Sequence, residues 1–185
     1  MVFSEILSPQ SDMHTIMKNS PAAIILSGGP KSVNDNTASS YNKAIFELNI
    51  PILGICYGLQ LIVKNHGGEI DSEGSGEYGL ANVAIKNENI LFSGCKDTLK
   101  VWMSHGDKAL TVPKKWKLLA VSSNGVIAAI ANKENNRFAT QFHPEVSHTE
   151  NGGTILKNFL FKIAKCSPKW TSENFIKEKI KVIKQ

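Results

Sequence analysis

Apolar residues are distributed in two different ways along this chain. Near its start they form continuous runs, Ala22-Ala23-Ile24-Ile25-Leu26 and, after Pro51, Ile52-Leu53-Gly54-Ile55. Runs of this length predict strands buried on both faces of a parallel sheet. Val2 to Leu7 reads as a further short strand. Helical spacing lies between the runs: Asp12 to Asn19 predicts a short helix, and Ala38 to Leu48 places Tyr41, Ile45 and Leu48 on one face. The second run passes through Cys56 into a helix, Gly58 to Asn65, closed by Gly67-Gly68. From Glu77 onward the pattern is of short strands separated by turns. They are Leu80 to Ile85, Leu99 to Met103, Trp116 to Val121, Val126 to Ala131 and Phe138 to Phe142, expected to pair partly as antiparallel neighbours. Gly153 to Ala164 reads as a helix with Ile155, Phe159 and Ile163 as its stripe, and Ser172 to Ile183 as a last amphipathic stretch.

Strand–helix alternation in the first half argues for an α/β fold with a parallel sheet. The 185 residues, 42% apolar and 20% charged, suit one globular domain with a real core. A net charge of +5 raises the question of nucleic acid. The lysines are dispersed, thickening only from Lys162 to Lys184, and no basic run is interleaved with aromatics for base stacking. The charge reads as a solvated surface, and no nucleic-acid partner is expected. Cys56, Cys95 and Cys166 form neither a disulfide framework nor a zinc pattern, so no metal is expected and the usage fits a reducing compartment. No segment approaches 18 continuous apolar residues, and the start lacks a basic region ahead of an apolar run. The expectation is a cytoplasmic protein with no membrane partner.

Gly54-Ile55-Cys56-Tyr57-Gly58 has the form of a nucleophile elbow with cysteine as nucleophile. Flanking glycines remove side chains that would clash at a sharp strand-to-helix turn. The helix that follows points its N-terminus at the sulfur, which favours thiolate and offers free N–H groups to an oxyanion. A buried structural cysteine in a glycine-rich turn is the competing reading. In His143-Pro144-Glu145, residues i and i+2 of extended backbone project to one side, so Glu145 can orient His143 and support its imidazolium. A surface His beside a surface Glu is the bland alternative, weakened by the cysteine elbow upstream. Ser27-Gly28-Gly29-Pro30 follows a buried run and belongs at the carboxyl edge of the sheet. It is a place for backbone N–H to meet a substrate oxygen, or a plain turn; no lysine at Walker spacing supports a phosphate loop. Ser104-His105-Gly106-Asp107 reads as a binding loop, with a second His/Asp pair as the alternative. His14 and His66 read as surface residues, and Cys95 as structural.

Taken in order, ILSGGP, GICYGLQ, VWMSHGD and QFHPEVSHT resemble the class I glutamine amidotransferase family over Ile25 to Thr149. The resemblance implies an open, mainly parallel, flavodoxin-like sheet flanked by helices. It implies that Cys56 attacks the glutamine amide to form a glutamyl thioester, with His143 as base and then acid and Glu145 orienting it. Backbone N–H groups of Gly29 and Tyr57 would form the oxyanion hole. Gln60, Ser104, Gly106 and Asp107 would hold the amino-acid end of L-glutamine. VWMSHGD, HPEVSHT and Trp170-Thr171 look most like the branch in which an ATP-pyrophosphatase synthetase, as a domain or a separate chain, aminates xanthosine monophosphate. ATP and magnesium would then belong to that synthetase, with no cofactor in this domain. Residues 1–168 would be the amidotransferase domain and 169–185 a linker helix toward the synthetase. The family opens with an apolar strand, a Phe-Gly-Ser-Gln segment and a helix that this sequence lacks. A domain incomplete at its N-terminus is implied, with a gap where a central strand is lost. A non-catalytic interaction module, or an amidotransferase serving another synthetase, are the alternatives.

Overall fold

The computed structural model describes residues 1–35, 41–132, 134 and 136–171. Its elements in chain order are α1 (Met13–Met17), β1 (Ile24–Leu26), β2 (Ile52–Ile55), α2 (Tyr57–Asn65), β3 (Ile70–Asp71), β4 (Glu77–Ile85), β5 (Thr98–His105), β6 (Lys108–Ala109), β7 (Lys117–Ser122), β8 (Ile127–Asn132), β9 (Arg137–Thr140) and α3 (Gly152–Lys157). A π-helical turn, Asn158–Ile163, continues α3. Seven strands form one sheet in the order β1-β2-β9-β8-β7-β4-β5, while β3 and β6 pair separately.

The sheet is the expected open α/β sheet, but it is mixed rather than mainly parallel. Only β1–β2 and β2–β9 are parallel ladders. The other four ladders, from β9 through β8, β7 and β4 to β5, are antiparallel. Continuous apolar runs mark only the strands inside a βαβ unit, and the chain beyond Glu77 turns back through hairpins instead. The two sheet faces alternate as the pleat requires. Leu53, Ile55 and Phe138 join one core with Ile155 and Phe159 of the C-terminal helix. Ile52, Ile130 and Ala139 join the other with Leu59, Ile62 and Val63 of α2. Asn158 fastens that C-terminal helix in place by donating from Nδ2 to the carbonyls of Leu91 and Ser93, at 2.9 and 2.8 Å.

Four expectations are corrected. Among the described residues there is no gap between strands, because every neighbour from β1 to β5 is hydrogen-bonded, and β1 and β5 are the two edges. For the same reason β1 is not buried on both faces, and Ile25 is 44% exposed. Val2 to Leu7 forms no strand. The start of the chain instead lies against residues 168–170, where the Met1 ammonium donates to the Pro168 carbonyl at 3.2 Å and Phe3 lies 6.4 Å from the Trp170 ring. Of the helix expected over Ala38 to Leu48, residues 38–40 lie outside the described residues, and the rest contains only a 3-10 turn, Lys43–Glu47. The chain leaves helical geometry there because the buried Arg137 guanidinium takes the carbonyls of Phe46, Leu48 and Ile50 as acceptors. The stretch Ser172 to Ile183 lies outside the described residues.

Helix α2 crosses β1 so closely that a Cβ on Gly58 would sit 2.2 Å from the Leu26 carbonyl oxygen. Backbone cannot yield there as a flexible side chain could. Gly58→Ala is therefore expected to cost about 1–3 kcal/mol, measured by chemical denaturation. An unchanged midpoint would show that β1 and α2 separate freely.

Candidate active site

Cys56 ends β2 and caps α2 with φ 53° and ψ −104°, a backbone conformation that a residue with a Cβ rarely adopts. It is held there from both sides. Its N–H donates to the Thr140 carbonyl at 2.8 Å, continuing the β2–β9 ladder, and its carbonyl accepts from Leu59 and Gln60 as the first turn of α2. Tyr57 is the first residue of α2, so its N–H has no partner within the helix and is free for an oxyanion. Gly29 comes up against it: a Cβ on Gly29 would lie 3.4 Å from the Tyr57 ring.

The sulfur of Cys56 is buried among polar groups. Sγ lies 3.6 Å from the Ser104 carbonyl, to which the thiol can donate, and 3.7 Å from Gln141 Nε2, which donates to it. Sequence reasoning missed Gln141. The signal was a polar residue set directly before the apolar Phe142 in a segment read as buried, and a fully buried glutamine demands such a partner. His143 follows two residues later. A Cβ on Gly28 would stand 2.9 Å from its Cε1 and 3.7 Å from the Cys56 Cβ, so the bare glycine lets ring and nucleophile come together. His143 Nδ1 donates to Glu145 Oε1 at 2.7 Å. The pair is made across a turn beyond β9 rather than in extended backbone. Strand β5 fixes that turn: the His143 N–H donates to the Trp102 carbonyl at 3.1 Å, and Thr149 Oγ1 donates to the His143 carbonyl at 2.6 Å while accepting from the Trp102 N–H at 3.0 Å.

Hydrogen bonds with Cys56 and with Glu145 push His143 up to about 10, against the opposing effect of burial. For Glu145 burial acts most strongly and raises the carboxyl, but the bond from His143, its own backbone N–H and the His143 charge together hold it below the usual value.

A cleft of about 360 Å³ opens over the sulfur, lined by Gly29, Cys56, Gln60, Ser104, Gly106 and Asp107 among others. These are the substrate-loop residues named from the sequence, gathered with one oxyanion residue and the nucleophile. Gln60 Nε2 donates to the Asp107 carbonyl at 3.0 Å. Asp107 Oδ2 and the Tyr57 hydroxyl are both buried with no hydrogen-bond partner among the described residues. Burial and the Asp107 charge push the Tyr57 hydroxyl above its ordinary value. An unpaired carboxylate oxygen in a cleft fits a cationic group such as an α-amino group.

The remaining histidines fall in different places. His105 is buried, and its carboxylate neighbour is Glu77 at 3.4 Å, not the carboxylate of Asp107. His14 is exposed, as expected. His66 is half-buried rather than a surface residue; it sits 5.6 Å from the Phe46 ring and 5.1 Å from Trp116 and bonds through Nδ1 to the Ile62 carbonyl at 2.8 Å. Cys95 is half-buried, packs against the first core, and has its thiol pushed up by burial. Among the described residues no cluster of three or more metal-ligating side chains occurs, and no helix is long and apolar enough to cross a membrane.

Comparison with known proteins agrees with this geometry. The family model described as "Glutamine amidotransferase class-I" matches residues 2–163. A GMP synthase [glutamine-hydrolyzing] of Brachyspira hyodysenteriae is 46% identical over 184 residues, covering all of this chain and 36% of the relative. One from Prochlorococcus marinus subsp. pastoris is 45% identical over 185 residues, covering 35% of its length. The chain thus spans about a third of the length of the curated relatives it matches. Among solved structures, a putative GMP synthase subunit from Thermoplasma acidophilum superposes with a TM-score of 0.71 at 29% identity, covering 90% of this chain and 81% of that one. The chain belongs to the class I glutamine amidotransferase family.

Proposed function

We propose that this chain hydrolyses L-glutamine to glutamate and ammonia, and that the ammonia aminates xanthosine monophosphate to GMP on an ATP-pyrophosphatase synthetase domain or subunit. The carrying observation is a strained cysteine at a helix N-terminus, meeting across Gly28 a histidine that a glutamate holds at 2.7 Å, under a cleft whose Asp107 carboxylate oxygen has no hydrogen-bond partner among the described residues. The acceptor rests on the naming of the relatives, which as whole proteins are glutamine-hydrolysing GMP synthases. ATP and magnesium are assigned to the synthetase, outside this domain. The three free cysteines suit the reducing cytoplasm.

The steps follow from the geometry. The α-amino group of glutamine pairs with Asp107, and Gln60, Ser104 and Gly106 shape the same end of the cleft. Cys56 Sγ attacks the side-chain carbonyl carbon, and the oxygen takes up negative charge facing the N–H groups of Gly29 and Tyr57. The C–N bond breaks as protonated His143 gives its proton to the leaving nitrogen, releasing ammonia and leaving a glutamyl thioester. Water, deprotonated by the now neutral His143, attacks the thioester and releases glutamate. Glu145 holds the imidazole in the tautomer that presents its other nitrogen to sulfur and substrate.

Diazo-oxonorleucine, a glutamine-mimicking electrophile, should leave a single adduct on Cys56, read by mass spectrometry. The adduct should vanish in Cys56→Ala and form about 10²-fold more slowly in His143→Ala. No adduct on the folded wild-type chain would refute the assignment.

The sign of the pH dependence follows from His143. Its value is raised to about 10, so the imidazolium persists across neutral pH and is lost only as pH rises through about 10. Iodoacetamide alkylation of Cys56 should therefore change little between about pH 7 and 9. In His143→Gln, which cannot carry the positive charge beside the sulfur, the rate should be lower and should lose that flat profile. Parallel profiles for the two proteins would show that no imidazolium faces the sulfur. Whatever stability His143 draws from these bonds is fully present below about pH 6.5 and is lost as pH rises through about 10.

A further inference from the structure

A second buried histidine–carboxylate pair lies beside the cleft and takes no part in these steps. Glu77 opens β4 and His105 closes β5, and the two are register partners in the antiparallel ladder. Their side chains are 7% and 1% exposed. Glu77 Oε1 accepts from Ser122 Oγ and Asn124 Nδ2, each at 2.8 Å, which anchors the carboxylate to the end of β7 and the turn after it. Glu77 Oε2 faces His105 Nε2 at 3.4 Å as a charge contact, and neither atom has a hydrogen-bond partner among the described residues. On the far side of the ring, Nδ1 donates to the Asp107 carbonyl at 2.9 Å. That carbonyl is also the acceptor for Gln60 on α2, so the loop is held from two elements at one atom.

We propose that Glu77 and His105 are positioning residues for glutamine capture: anchored by Ser122 and Asn124, Glu77 holds the His105 ring so that Nδ1–H fixes the Asp107 carbonyl and sets the Ser104–Asp107 loop for the amino-acid end of the substrate. The inference rests on the reading of that loop as the glutamine site. It separates the two histidines by task, with His143 moving protons at the sulfur and His105 shaping the pocket that selects what reaches it. Residue 77 requires an acceptor toward Ser122 and Asn124 and a polar atom toward His105. Glutamine supplies both, since its Oε1 keeps the first two bonds and its amide N–H donates to Nε2. Alanine supplies neither.

The test is inactivation of the full chain by diazo-oxonorleucine, resolved into KI and kinact, beside the iodoacetamide rate at Cys56, which needs no glutamine pocket. Glu77→Ala and His105→Phe should raise KI about tenfold, the scale of one buried hydrogen bond, with kinact and the iodoacetamide rate unchanged. Glu77→Gln should keep the wild-type KI. An unchanged KI in Glu77→Ala would overturn the proposal. So would a Glu77→Gln variant as impaired as Glu77→Ala, or a joint fall of kinact and iodoacetamide rate, which would mark general collapse of the site. Thermal unfolding identifies any variant that fails to fold, and Glu77→Gln then decides by its KI. Asp107→Asn separates this inference from the reading beneath it. A raised KI in Asp107→Asn with a normal one in Glu77→Ala sinks the brace alone, whereas an unlabelled wild type or an unaffected Asp107→Asn sinks the loop assignment itself.

Discussion

The site depends on one backbone conformation, that of Cys56 at φ 53° and ψ −104°. Holding a non-glycine residue there costs on the order of 1–3 kcal/mol, which surrounding structure must offset. Two sources do so. The Cys56 N–H is locked to Thr140 as the last rung of a parallel ladder, and its carbonyl is locked into the first turn of α2. The core beneath is equally constraining, since Ile52, Leu59, Ile62 and Val63 are all fully buried in one cluster. With strand and helix both fixed, the residue between them has nowhere to relax. The sulfur is consequently presented at the carboxyl edge of the sheet, with helix N–H groups beside it.

A strained cysteine alone is no site, and its partners arrive by the curl of the sheet. Strand β5 stands at the opposite end of the strand order from β1, yet its Trp102 carbonyl accepts from His143, which follows β9 near the other end. Its Ser104 carbonyl lies 3.6 Å from the sulfur. The antiparallel half therefore bends back over the parallel half, as strand twist accumulated across a sheet allows. This closure supplies the wall carrying Ser104, Gly106 and Asp107. The same ladder, β4 against β5, brings Glu77 to His105. The part of the sheet that departs from parallel pairing is thus the part that builds the substrate cleft.

What was legible in the sequence was local. Gly54 and Gly58 bracket Cys56 because a Cβ on either would strike backbone, and that requirement is written in five consecutive residues. His143 and Glu145 are two apart, and although the chain turns between them, their bond needs no distant partner. Strand neighbours and side-chain partners far apart in sequence were not legible. Nothing around Ala22 to Leu26 tells an edge strand from a central one, since both are apolar runs. Arg137 reaching the carbonyls of residues 46, 48 and 50 stops a helix from outside it. Gln141 shows its purpose only once Cys56, 85 residues earlier, is seen against it.

The two histidine–glutamate pairs show why residue type does not by itself assign a chemical role. Both His143 and His105 have a carboxylate within 3.4 Å, and both stand near the sulfur's wall of the cleft. Their proton affinities nevertheless move in opposite directions. At His143, bonds with Cys56 and Glu145 outweigh burial, and the ring is held as imidazolium through neutral pH. At His105, burial outweighs the attraction of Glu77, the nearby His143 adds repulsion, and the ring is pushed below its ordinary value. The difference is one of access: His143 is 17% exposed with a partly solvated glutamate, while His105 and Glu77 are enclosed. Enclosure removes the water that would stabilise a charge, so a fully buried pair is poorly suited to gaining and losing protons each turnover. It is well suited to holding a carbonyl in place. Burial thus gives the exposed pair the chemistry and the enclosed pair the geometry, with the cleft lying between them.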